Sequence, residues 1–263
     1  MSEALVLLGI AVTALSGCLG LLAPRNSVSG QWVATLIAVL GNALGLWGTF
    51  DFWATGSSGP LELPWLLASE RISVGVDGLS AVFLLPIFLI SLLGNIYGLG
   101  YWNQAEHPQN GRKLRLFYGF LTAGLALLVI AKSGVLFLFG WEIMALSAFF
   151  LVTTEDDKQE VRETGWVYLV ATHIATLCLF GMFALLRAAS GSFELVPLNP
   201  ENLSPTMATA IFALALVGFG LKAGIMPLHV WLPGAHAAAP SHVSAIMSGV
   251  LIKMGIYGLV RVT

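Results

Sequence analysis

Charge is what this sequence has least of. Its 263 residues include only 12 Lys and Arg and 14 Asp and Glu, 10% in all, against roughly 25% in an ordinary soluble domain. The formal net charge of −2 excludes the basic footprint that nucleic-acid binding needs. Cysteine is nearly absent. Cys18 and Cys178 both lie inside apolar runs, and no CxxC or Cys/His spacing offers a zinc site, an iron–sulfur cluster or a disulfide framework. Neither a glycine-rich nucleotide loop nor a usual catalytic constellation is present, so neither a redox centre nor a cofactor is expected in this chain. The amino terminus carries Glu3 as its only charge. Without the positive region of a cleaved signal, the first apolar run reads as a retained helix.

What is abundant is hydrophobic side chain, 57% of the sequence. A membrane-spanning helix needs roughly 20 apolar residues, and eight runs qualify: 4–23, 31–50, 79–100, 114–131, 135–153, 166–187, 207–226 and 241–261. They are too long and too uniformly apolar for barrel strands, and only helices or closed barrels satisfy the backbone in lipid. The fold class is therefore an all-α integral membrane protein of about eight transmembrane helices. The connection 51–76 holds "LELPWLL" and "RISVGVDG", which predict a small β-hairpin at the membrane surface. The three-residue connection 132–134 makes its flanking helices adjacent and antiparallel. Residues 153–165 are the most charged stretch and read as a solvated loop. With alternating helices, one side receives Arg25, Arg112, Lys113, Arg115, Lys158 and Arg162, and the other Arg71, Lys132, Arg187 and Arg261. The bias places the amino terminus and the 51–76 connection outside.

Three ionisable residues fall well inside these runs: Glu142, Lys222 and Lys253. Holding a charge at the bilayer centre costs at least about 2.5–3.5 kcal/mol on insertion scales. Such groups pair, face water or do work. Two readings stand. Glu142 and Lys222 form a static pair that registers helix packing, or the carboxylate modulates a lysine that carries protons. One carboxylate cannot neutralise two lysines, and Lys253 points to a chain of sites. The seventh run is interrupted at Pro227, which removes a backbone donor, with Gly218, Gly220 and Gly224 nearby. Broken helices at membrane depth mark ion sites in transporters, although plain kinks are common.

His229, His236 and His242 follow that break. They read as proton-entry candidates or as interfacial polar residues with backbone partners. His173, in the sixth run, either connects Lys222 to Lys253 or hydrogen-bonds across helices near Thr172 and Thr176. His107 reads as loop surface, and Lys132 and Arg187 as snorkelling residues.

Three stretches carry a resemblance. "VGVDGLSAVFLL", "FGWEIMALSAFFLV" and "GLKAGIMPLHVWLPGAHAAAPSHVSAIMSGVLIKMGIYGLVRV" resemble the antiporter-like membrane subunits of respiratory complex I, a family that includes multi-subunit sodium/proton antiporters and energy-converting hydrogenases. "EVRETGWVYLVATHIATL" and "APSHVSAIMSG" look most like the subgroup of hydrogenase-4 and formate hydrogenlyase membrane subunits. The resemblance implies that Glu142 pairs with and tunes Lys222, that Lys253 is the central relay, and that His229 is the polar position after the break. It also implies a hairpin outside, between the second and third helices.

Two segments follow: residues 1–113 as a three-helix start, and 114–263 as the first five-helix repeat of the two inverted repeats such proteins carry. The second repeat is not in the chain, which is expected to be a fragment, a split subunit or a truncated relative. Its partners would be other membrane subunits of a complex I-like or hydrogenase complex, in the cell inner membrane. The exit half of a proton path would come from another chain. H⁺ is the expected ion, with Na⁺ exchange as the alternative. A membrane cytochrome with haem or quinone at the histidines, and a purely structural subunit, are the competing classes.

Overall fold

A computed structural model describes residues 1–25, 27–56, 59–64, 71–195 and 203–262. Among the described residues, eight helical segments are long and apolar enough to cross a membrane. They are α1 (Ser2–Leu22), α2 (Val28–Thr55), α3 (Gly78–Tyr101), α4 (Gly111–Ile130), α5 (Gly134–Val152), α6 (Gln159–Ser190), α7 (Pro205–Ala223) and a composite eighth span, Ser241–Val262. The last consists of α9 (Ser241–Ile246), a π-helical turn (Met247–Leu251) and α10 (Lys253–Val262). The short α8 (Leu232–Ala238) lies between α7 and α9.

Caps explain several boundaries. Ser27, Asp77, Ser133 and Ser204 each accept a backbone N–H of the helix that follows, filling one of the orphan donors of a first turn. Two boundaries correct the sequence reading. Residues 159–165 are not loop but the first two turns of α6. Their charged side chains, with Gln159 donating to Glu163 one turn on, hide the helix from a search for apolar runs. The interrupted helix also ends at Ala223 rather than Met226.

The expected hairpin is present. β1 (Leu61–Pro64) and β2 (Arg71–Val74) pair antiparallel, Leu61 opposite Val74 and Pro64 opposite Arg71. It is also anchored. The Gly75 N–H reaches the Ile130 carbonyl, Lys132 N–H the Ser73 carbonyl, and Leu195 N–H the Lys132 carbonyl. The hairpin, the α4–α5 turn and residues 193–195 thus form one cover over the same end of the bundle.

Asp77 locks that end. Its Oδ1 accepts the Ser80 N–H, and its Oδ2 accepts Lys132 Nζ and Arg261 Nη1, each at 2.5 Å. The start of α3, the α4–α5 turn and the end of α10 meet on one carboxylate. Lys132 is therefore paired rather than merely snorkelling. Half-burial by itself would raise the Asp77 carboxyl, but Lys132, the Ser80 N–H and Arg261 outweigh it and hold it far below the usual carboxylate range. Burial pushes the Lys132 ammonium down, and Asp77 offsets this only in part; the net stabilisation is carried by Asp77 with its three donors. Asp77→Asn is expected to lower stability by about 1–3 kcal/mol, less than a fully buried pair, because the side chain is 38% exposed and screened. A depressed carboxyl contributes fully above its unfolded value of about 3.9 and loses that contribution as pH falls through the folded value. The wild-type advantage in thermal unfolding should be constant from pH 5 to 8, by about the same rule, and should shrink in strong acid. An advantage that instead vanished at neutral pH would remove this role.

Candidate functional site

The break after α7 is made by Gly224, not by Pro227. Gly224 sits in the left-handed region at φ 70° and ψ 33°, which only glycine adopts freely. Its N–H turns back to the Gly220 and Leu221 carbonyls, and the Ile225 N–H reaches the Gly220 carbonyl at 3.1 Å. This closes the helix in the manner of a glycine C-cap, with proline shortly beyond. The Leu221 carbonyl gains a second donor, the Trp231 indole N–H at 2.8 Å. The polypeptide is interrupted at depth without leaving that carbonyl orphaned.

Lys222 lies in the last turn before this break and is 1% exposed. Its Nζ donates to the Tyr168 hydroxyl at 3.2 Å. Three rings surround it, with Nζ 5.3 Å from the Tyr168 centroid, 5.8 Å from Trp141 and 6.0 Å from Trp231. Tyr168 and Trp231 meet edge-on at 5.2 Å. Each face offers a cation roughly 0.5–2 kcal/mol, and the negative end of the α7 dipole adds to this.

Glu142, on α5, does not touch Lys222. Its Oε1 accepts the Thr176 hydroxyl at 2.5 Å, and no ion pair within 4 Å forms between the two charges. The direct clasp expected from the sequence is not formed: the partner that the Glu142 carboxylate does have is the Thr176 hydroxyl of α6. The lysine is thus held by rings and a hydroxyl, with its carboxylate one layer away on α5.

The remaining candidates separate. Lys253 is exposed on the surface of this chain, and its Nζ bonds the Ser248 carbonyl. That carbonyl belongs to the π-helical turn, where the Ile252 N–H pairs with Met247; single π turns often mark functional sites. His229 is half-buried beside the break, and its Nδ1 has no hydrogen-bond partner among the described residues. The buried Trp141 indole N–H in the cage is likewise unpartnered. His236 Nδ1 bonds the Ser244 hydroxyl at 2.8 Å and lies in the field of Lys253.

Two histidines are not where the sequence reading put them. His173 is exposed on α6 and bonds the Leu169 carbonyl of its own helix, so it links neither lysine to the other within this chain. His242 is buried and faces Tyr97, Tyr101 and Tyr118, on the α3–α4 side and away from the break. His107 is no bystander, because it stacks on Trp102 at 4.0 Å. Among the described residues no two histidine rings meet, and no group of three or more His, Cys, Asp or Glu could hold a metal.

Residues 131–263 match the family described as NADH:quinone oxidoreductase/Mrp antiporter, TM. The chain belongs to this family. It is 37% identical to hydrogenase-4 component B of Escherichia coli over 191 residues, which is 73% of this chain and 28% of that protein. It is 29% identical to NADH-quinone oxidoreductase subunit M of Pseudomonas aeruginosa, over 88% of this chain and 48% of the relative. The Mrp complex of Dietzia sp. DQ12-45-1b contains a chain with the same fold, at TM-score 0.81 and 23% identity, covering 100% of this chain and 28% of that one. The chain thus spans less than half the length of these relatives.

In this antiporter-family chain the charged members of the site were legible in the sequence and its aromatic members were not. Trp141, Tyr168 and Trp231 are unmarked in the sequence, because an aromatic among apolar residues carries no sign of what it faces. Trp141 stands immediately before Glu142, and that adjacency was the one available signal. Thr176 was noted only as a neighbour of His173, yet it holds the Glu142 carboxylate.

Proposed function

We propose that this chain forms the lysine-bearing half of a proton-translocating membrane subunit in a redox-driven complex of the complex I or hydrogenase-4 type. One observation carries the reading: a lysine 1% exposed at a helix break, with no carboxylate in contact. A permanent ammonium there has no contact partner of opposite charge, whereas an amine that gains and gives up a proton is served by both the Tyr168 hydroxyl and the rings. Glu142 sets the field in which that exchange happens. The Trp141 N–H in the cage and the His229 Nδ1 beside the break, unpartnered among the described residues, supply polar footing for water between the break and Lys222. Lys253, exposed on the chain and aided by the π turn, is the relay to an exit half contributed by a further membrane segment.

On this reading residues 114–263 act as the first antiporter-like repeat behind the three-helix start, 1–113. The partners are other membrane subunits and the lipid bilayer. The hairpin end and the amino terminus lie outside the cell inner membrane, and the break opens toward the cytoplasm. The ion is H⁺ rather than Na⁺, because an amine carries a proton and is a poor sodium ligand.

The test uses the assembled complex in inverted vesicles, with electron transfer and acidification followed together in sodium-free buffer. Glu142→Gln is expected to lower acidification by about tenfold while assembly persists, the scale of one positioned group in proton transfer. Unchanged acidification would sink the role of Glu142. Acidification that appears only when sodium is added would replace proton translocation by sodium exchange.

A further inference from the structure

Lys222 is sealed on every side. The three aromatic residues that wall it, Trp141, Tyr168 and Trp231, are themselves buried. A group that exchanges protons needs water beside it at some moment, so one wall has to move. Two of the walls are rooted within long spans. Trp141, on α5, stacks on Phe137 and meets Phe219 edge-on at 5.7 Å. Tyr168, on α6, donates its hydroxyl to the Ala145 carbonyl of α5 at 3.3 Å. Trp231 is rooted differently. It ends the connection 225–231, which runs from the break at Gly224 to α8. That connection is built of turns rather than a ladder of helical bonds, and its Met226 and Val230 are exposed on the chain. Backbone of this kind opens before the middle of a packed helix does.

Three contacts hold the Trp231 ring in place. Its N–H reaches back across the break to the Leu221 carbonyl at 2.8 Å. Its ring meets Tyr168 edge-on at 5.2 Å, and its face lies 6.0 Å from Lys222 Nζ. The first contact is one the fold can release. The Gly224 N–H also points at the Leu221 carbonyl, so the acceptor is not left unsatisfied when the indole departs. The third depends on charge, because a ring face attracts an ammonium and not a neutral amine. Closure and protonation therefore favour each other, and linkage makes that preference reciprocal. We propose that Trp231 is the gate of the lysine cage: its indole swings off Leu221 to admit water from the break, and it closes on Lys222 once the amine has taken a proton. This rests on the reading of the chain as a proton-translocating subunit and adds the residue that makes uptake one-way. With the ring open, a hydronium ion at the break gives its proton to the Nζ lone pair and is left as water. With the ring closed, the new ammonium is shut off from the side it was loaded from, so the proton leaves toward the relay. Its departure removes the attraction between ammonium and ring, and the gate is free to open again.

The test follows protons delivered per electron in inverted vesicles carrying the assembled complex, at a series of imposed proton gradients. Without the indole the cage stays open to the break, and protons on Lys222 return there, more often as the gradient rises. Trp231→Ala is expected to keep electron transfer, to start below the wild-type ratio, and to reach zero at a gradient against which the wild type still pumps. Trp231→Phe keeps a ring over Lys222 but not the N–H. Its ratio should fall between the other two, with the same dependence on gradient. A deficit that is equal at every gradient marks a packing role and overturns the gate, as does the wild-type ratio throughout in either variant. If Trp231→Ala does not assemble, Trp231→Phe decides by the same outcomes. Lys222→Met separates the gate from the reading beneath it. Intact pumping in that variant overturns both, whereas lost pumping beside a Trp231→Ala complex that behaves as wild type overturns the gate alone.

Discussion

Lys222→Met should leave the assembled complex stable and, on the proposed proton-translocating reading, abolish its pumping. Methionine matches the lysine stem in length and flexibility and fills the space among Trp141, Tyr168 and Trp231 without a charge. Methionine removes the desolvation cost of an ammonium that has no carboxylate in contact, so thermal stability should hold or rise. Pumping should fall by about 10²–10⁴, the contribution of a positioned proton-transfer group. Lys222→Arg sharpens the distinction. Guanidinium keeps the positive charge, can stack on the same rings and does not deprotonate in proteins. If Lys222 were only a fixed charge that registers helices, arginine would preserve pumping. If the amine must give up its proton, arginine is as inactive as methionine. The measurement is acidification of inverted vesicles at matched electron-transfer rate and matched complex content. Substantial pumping by the arginine variant would convert the caged lysine into a structural cation.

Gly255→Ala should be the most damaging small substitution in the last helix. A Cβ at Gly255 would lie 2.4 Å from the Phe219 carbonyl oxygen and 2.6 Å from the Ala223 nitrogen, both backbone atoms that cannot rotate away. At Gly258 the clash is with the Phe219 ring at 2.1 Å. That ring is buried and packed edge-on against Phe137 and Trp141. Glycines that let helix backbones meet are the usual cement of membrane bundles, since lipid offers no hydrophobic drive between helices. Forcing extra volume into such a contact costs about 1–3 kcal/mol, and more where backbone must move. The functional consequence is specific. α7 carries Lys222 and α10 carries Lys253, so this contact sets the separation of the two lysines. Gly255→Ala is expected to lower complex yield and thermal stability together, with pumping reduced further than yield explains. Ile256→Ala, one residue on and 51% exposed, is the control and should stay within about 0.5 kcal/mol of wild type. Equal behaviour of the two variants would show that the α7–α10 approach is not tight.

The break illustrates how far a sequence can be read. Gly224 and Pro227 were both visible, and proline is the stronger breaker by rule. The backbone ends at the glycine because a left-handed C-cap satisfies the last carbonyls, and the tryptophan that completes the capping lies ten residues from Leu221. The histidines show the same limit. His229, His236 and His242 are close in sequence and looked like one cluster, yet α8 and α9 turn them to different neighbours: the break, Ser244, and the tyrosines of α3 and α4.

What the sequence determined alone is the membrane architecture: eight apolar runs without enough charge to live in water, and the hairpin between the second and third helices. These follow from composition and length, which the bilayer reads directly. What only the tertiary structure decided is which groups meet. Glu142 and Lys222 stand apart, Glu142 on Thr176, Lys222 is boxed by aromatics from α5, α6 and the segment after the break, and Asp77 ties three distant elements. Contact across helices depends on rotation and on close approach at small residues, and neither is encoded in the periodicity of any single apolar run.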